Sequence, residues 1–185
     1  VTLGAAGVAP AFTAAVDSLP ALLAALDAVP RDPMAETAQS AALAAARGRL
    51  PLPVRGDARP EGFGLVIEAA PWTLVRSPVR ATVRFAGPLP PLGGVVVLEP
   101  APDATIVLQG LGETAAAPGA VVQAGQPVGH MGGPVPSADA FVMAAGGDDT
   151  APSPQSLYME LWRSGRREDA AGWFALDPPE PARLQ

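Results

Sequence analysis

The feature that most constrains this chain is a change of pattern near residue 50. Before it, Ala and Leu dominate and apolar positions recur at helical spacing. After it, short β-branched runs alternate with Gly and Pro, the pattern of strands joined by tight turns. Strands are expected over residues 64–67, 74–76, 81–86, 95–99, 105–111, 127–131 and 157–163. Spacing of this kind predicts a mainly β fold, an antiparallel sandwich or barrel with helices at its N-terminal end.

Two helices are expected before the strands. The first runs from Ser18 to Val29, with Ser18 as the N-cap, Pro20 in the first turn and Pro30 as the stop. Its Leu19, Leu22, Leu23, Leu26 and Val29 form one apolar stripe. A helix of about three turns is marginal alone in water, and burying each such side chain is worth roughly 1.5–3 kcal/mol before entropy is subtracted. The stripe must therefore lie against something. Either it packs on its own domain for good, or it is a detachable helix that covers a binding surface. A second helix is expected from an Asp32 cap and Pro33 to Arg47, with Gly48 as its stop. Residues 133–154 read as a long exposed loop, and the Pro-rich tail from Asp177 as a fraying end.

Composition removes several function classes. The net charge of −6 gives no electrostatic grip on nucleic acid or anionic lipid. All basic residues are Arg, so Schiff-base, lipoyl or biotinyl attachment and phosphate-loop Lys chemistry are excluded. The chain has no Cys, which removes thiolate catalysis, thiolate metal sites and disulfides. No apolar run reaches about 18 residues, the length of a helical membrane span. The start at Val1, with no charged and then apolar leader, suggests a fragment or a processed form.

Alternation along the last strand places Ser156, Tyr158, Glu160 and Trp162 on one face and Leu157, Met159, Leu161 and Arg163 on the other. The Leu/Met face is the core, so Tyr158 and Trp162 should face outward, as anchors of a partner groove or beneath the N-terminal helices. The single His, His130, reads as an ordinary turn or strand-end residue. No Gly-x-Ser-x-Gly elbow supports Ser-His-Asp chemistry. Gly129, Gly132 and Gly133 lack the Gly-Lys-Ser/Thr ending of a phosphate loop, and Asp148-Asp149 lacks the spacing of a calcium loop.

Over about residues 49–176 the chain resembles the LytM/lysostaphin-type zinc peptidases. Arg49-Leu50-Pro51-Leu52-Pro53-Val54-Arg55-Gly56 looks like the lead-in to LytM-type domains of murein hydrolase activators of the EnvC type. Gly64-Leu65-Val66-Ile67-Glu68-Ala69-Ala70-Pro71 resembles the first metal-ligand strand and its turn. The run from Ser77 to Gly87, Gly93 to Glu99, the Ala124-Gly125-Gln126-Pro127-Val128-Gly129 turn and Ser156 to Gly165 followed by Trp173-Phe174 are similar to later strands and turns of that family, in register.

The resemblance implies vestigial active-site positions. The His and Asp of the first ligand strand fall on Gly62 and Val66, the catalytic His before the Gly-Gln-Pro turn on Gly110, and the closing His-x-His pair on Ser156 and Tyr158. A zinc site needs about three N, O or S donors that converge on the ion, and these residues do not supply them. The resemblance thus implies no catalysis of the family type, no metal and no cofactor. It points to the degenerate activator branch, which binds a periplasmic N-acetylmuramoyl-L-alanine amidase during cell division. In that branch a helix preceding the domain is held across the vacant groove until the membrane complex FtsEX, acting through an upstream coiled coil absent from this chain, pulls it away. The expected groove is lined by Phe63, Val66, Leu108, Tyr158 and Trp162, with recognition in helix-in-groove mode and the 18–29 helix as the restraining element. The organisation expected is a helical regulatory segment over 1–48, a LytM-like domain over 49–176 and a tail over 177–185, in a periplasmic protein. The alternatives are a β-rich adaptor of the biotinyl/lipoyl or efflux-adaptor sort, on the strand–turn character of residues 119–129, and, third, an active zinc endopeptidase.

Overall fold

The computed structural model describes residues 21–24, 33–133 and 153–176. Residues 21–24 are helical. Helix α1 (Pro33–Ala45) opens on its expected Pro, and the chain turns away through Gly48 at φ 74°. Ten strands follow: β1 (Asp57–Glu61), β2 (Gly64–Ala69), β3 (Leu74–Arg76), β4 (Ala81–Pro88), β5 (Gly94–Ala101), β6 (Ala104–Thr114), β7 (Val121–Val122), β8 (Pro127–Met131), β9 (Gln155–Arg163) and β10 (Arg166–Glu168). A 3-10 turn (Ala170–Gly172) closes the described chain, capped by the Asp169 carboxylate.

The strand pairing is antiparallel throughout, in the order β1-β2-β9-β6-β5-β4-β7. β10 continues the flank of β9, while β6 runs on past Leu111 to pair with β8, which pairs in turn with β3. The seven expected strands are all present, most of them longer than expected. The three additions, β1, β7 and β10, are short or polar. β1 reads Asp-Ala-Arg-Pro-Glu and is exposed at four of five positions, so it carried no apolar alternation. Its Pro and charges suit a sheet edge, where they discourage pairing with another chain.

The main core lies on one face of this sheet. Leu65 and Ile67 (β2), Leu157, Met159 and Leu161 (β9), Ile106 and Leu108 (β6) and Val96 and Leu98 (β5) are fully buried there, with Val75 from β3 and Val128 and Met131 from β8. Leu43 of α1 joins the same cluster at 2% exposure. Ser40 of α1 donates to Asp103 in the β5–β6 turn, and Asp103 is ion-paired with Arg163. Arg163 and Arg47 each lie over the buried Trp173 ring, 5.4 and 5.2 Å from its centroid. Leu50 forms a bridge to Phe174. Helix α1 thus packs against the strands through Leu43 and Ser40. The rest of the 18–29 helix (Leu19, Leu26, Val29), the 134–152 part of the long loop and the tail from Asp177 lie outside the described residues.

Candidate partner groove on the second face of the sheet

Directly opposed residues of neighbouring strands share a face. Tyr158 of β9 sits between Val66 of β2 and Gln109 of β6, Glu160 is opposite Val107, and Trp162 is opposite Thr105 on one side and Arg167 of β10 on the other. Val97 and Val95 of β5 are opposite Val107 and Gln109, and Phe85 of β4 is opposite Val97. This face therefore carries Val66, Tyr158, Glu160, Trp162, Val107, Val97 and Phe85, the outward alternation expected for β9.

Two halves of the face differ. Over β4–β6, Val95, Val97 and Val107 are fully buried together with Leu89 and Leu22, and Leu23, Phe85, Leu92 and Trp162 pack against them. Leu22 comes from the helical segment 21–24, so part of the expected apolar stripe lies on this face and not on the main core. Over β2 and β9, Val66 is buried, Tyr158 is partly buried, Ser156 is exposed, and Phe63 in the β1–β2 turn is 57% exposed. A cavity of about 230 Å³ opens at the edge of the helical segment, between Leu23, Val97, Thr105, Trp162, Asp103 and Gly165.

A carboxylate holds the centre. Glu160 is 4% exposed, and it accepts from the Tyr158 hydroxyl at 3.0 Å and from the Trp162 indole Nε1–H at 2.8 Å. Arg167 pairs with it at 3.7 Å and lies 5.0 Å from the Trp162 ring centroid. The Tyr158 phenol is pushed up to about 12, first by burial and then by its hydrogen bond and charge interaction with Glu160, against the opposing influence of Arg167. The Tyr158 ring leans over Gly64, where a Cβ atom would lie 2.7 Å from the phenol end of the ring and 2.6 Å from the Met159 carbonyl.

Three of the five groove residues expected from sequence lie on this face: Val66, Tyr158 and Trp162; Phe63 is an exposed residue of the β1–β2 turn, outside the strand register that defines the face. Leu108 is not on it. Its cross-strand partners are Val96 and Met159, which places it in the main core at 0% exposure, and Val107 takes its place on the groove side. The slip is one residue within the apolar run Ile106-Val107-Leu108, although the polar Thr105 and Gln109 on either side of Val107 mark it as the groove-side residue. Glu160 was placed on the correct face, but nothing in its neighbours marked it as an acceptor for two aromatic donors.

Of the vestigial positions, Val66 and Tyr158 are direct partners, and Gly110 backs onto Ser156, whose carbonyl would lie 2.6 Å from a Cβ at Gly110. Gly110 has φ 91°, a conformation that disfavours any side chain. Gly62 lies in the β1–β2 turn at φ 62°. A hydroxyl and a phenol beside two glycines and a valine do not fit a zinc ion. Among the described residues, no three His, Cys, Asp or Glu side chains are grouped to hold a metal.

No protein-family model matches the chain, and no curated protein matches its sequence. Among solved structures, Helicobacter pylori Csd3 is similar with a TM-score of 0.51 and 18% identity, over 70% of this chain and 33% of that one. A putative M23 peptidase from Pseudomonas aeruginosa is similar with a TM-score of 0.51 and 19% identity, over 79% of this chain and 64% of that one. The chain spans less than two thirds of the length of either protein. The fold of this chain is the mainly antiparallel β fold of M23, or LytM-type, peptidase domains.

Proposed function

We propose that this chain is a non-catalytic LytM-like regulator that binds a periplasmic N-acetylmuramoyl-L-alanine amidase on the second face of its sheet. The observation that carries the reading is Leu22, fully buried against Val95, Val97 and Val107 on the side of the sheet away from the main core. An apolar helical segment of the chain itself, residues 21–24, packs on the β4–β6 part of this face, beside the β2–β9 part that carries Val66, Ser156 and Tyr158. The positions that resemble the family's zinc ligands are Gly62, Val66, Ser156 and Tyr158, with Gly110 at the catalytic His. Such a face is suited to contact, since its aromatic residues have partly exposed edges and its apolar floor already accepts a helix. In this reading residues 18–29 restrain the groove, and FtsEX releases them through an upstream coiled coil.

The test is dye release from labelled peptidoglycan. The chain alone should release none, with or without added zinc, and should raise release by a cognate amidase. Release by the chain alone that depends on zinc would refute the non-catalytic reading. Failure to bind or stimulate any periplasmic amidase would refute the activator role.

A further inference from the structure

Tyr158 and Trp162 flank Glu160 on the same face of β9, and each spends its only strong donor on that carboxylate. A buried carboxylate is costly unless it is paired and hydrogen-bonded. Here Val107 lies opposite Glu160, and its compensation comes from the two aromatic donors and from Arg167 at the rim. The same bonds tie down the aromatics. The phenol end of Tyr158 is held over Gly64, whose lack of a Cβ makes room for it, and the indole is held between Arg167 and the apolar cluster around Val97.

We propose that Glu160 is a positioning residue that clamps Tyr158 and Trp162 along β9, so that the groove meets its partner with two pre-set aromatic surfaces whose polar ends are already satisfied. This rests on the reading of that face as a partner surface. Rings whose rotamers are fixed in advance lose less freedom on binding, and no unpaired hydroxyl or indole N–H is buried by an apolar partner helix. The carboxylate therefore favours an apolar occupant over a polar one without touching it.

The chain has a single Tyr, so phenolate absorbance reports Tyr158 alone. In the unaltered chain the phenol should titrate near 12, and in Glu160→Gln it should move toward the ordinary 10. Gln keeps the shape and can still accept from the indole, so the Trp162 Nε1–H resonance should stay protected from exchange in Glu160→Gln. In Glu160→Leu, whose packing is apolar, that protection should be lost and amidase binding should fall several-fold, while Glu160→Gln retains most of the binding. An unchanged phenol titration in Glu160→Gln, or an unchanged indole resonance in Glu160→Leu, overturns the clamp. Loss of the clamp in Glu160→Leu with undiminished amidase binding overturns its positioning role. If the unaltered chain binds no amidase, the proposed function fails, yet the two spectroscopic readouts still judge the clamp.

Discussion

The two faces of the central strands are made from the same chain segments and do different work. On the core face, Leu65, Ile67, Val96, Leu98, Ile106, Leu108, Leu157, Met159 and Leu161 are aliphatic and fully buried. On the other face, the positions between them hold Val66, Glu68, Val95, Val97, Val107, Gln109, Ser156, Tyr158, Glu160 and Trp162. One face is lined by apolar side chains and gains its stability from burial. The second is apolar where the helical segment lies and mixed where it does not. A sheet that needed only stability could have left this second face polar toward water. The run Val95-Val96-Val97-Leu98 of β5 is apolar on both faces and demands a cover, and Leu22 is part of it.

The largest effect expected from this contrast is on stability. Leu157→Ala or Leu161→Ala should cost about 2–5 kcal/mol, because each leaves a cavity in a close-packed core. Ser156→Ala on the opposite, exposed side should stay within about 0.5 kcal/mol. Urea unfolding of the three variants measures this. Equal costs on both sides would mean that the strand faces are not divided as described.

The same contrast explains what was legible in the sequence. Where apolar and polar residues alternate, as in β9, the faces can be assigned from sequence, and Tyr158 and Trp162 fall where expected. Within a continuous apolar run such as Val95-Val96-Val97-Leu98 of β5 a one-residue slip leaves no trace, whereas in β6 the polar Thr105 and Gln109 flank Val107, so the expectation that Leu108 faces the groove overlooked a phase the sequence carries. The apolar spacing of Leu22 and Leu23 pointed to burial, although periodicity alone could not tell which surface they pack on. Helix α1 has few large apolar residues, so the burial of Leu43 and the Ser40–Asp103–Arg163 chain that pins the helix to the β domain could not be foreseen. Both arise from long-range contacts, and the edge strand β1 was hidden by its charges and Pro60.

A sharper form of the comparison uses Trp162. Trp162→Ala should weaken amidase binding by about 1–4 kcal/mol, as expected for a central aromatic anchor. It should also lower stability, since Glu160 loses one donor while remaining buried. Calorimetric titration together with urea unfolding separates the two losses. A purely structural role would lower stability and leave the affinity of the folded variant unchanged.

A smaller effect concerns the end of the sheet, where α1 is tied on. Burial acts to raise the Asp103 pKa, but the Ser40 hydroxyl and the Arg163 guanidinium outweigh it and hold the carboxyl below its ordinary 3.8. A folded-state pKa below the unfolded one contributes stability that is present above the unfolded value and lost as pH falls through the folded value. Both side chains are about a quarter exposed, so solvent screens the pair. Asp103→Asn should therefore lower the melting temperature modestly at neutral pH and narrow its gap to the parent chain below about pH 4. A constant gap from pH 7 to pH 2 would remove the carboxylate from the account.

The most direct test of the central claim is the affinity of the full chain for a cognate amidase before and after Leu22→Asp. The substitution places a charge where Leu22 is fully buried over Val95, Val97 and Val107, which should expel the helical segment from the groove face. If that segment competes with the amidase, apparent affinity rises as the open fraction rises, several-fold or more. Unchanged or weaker binding, with the β domain still folded, would show that the segment does not guard the partner surface.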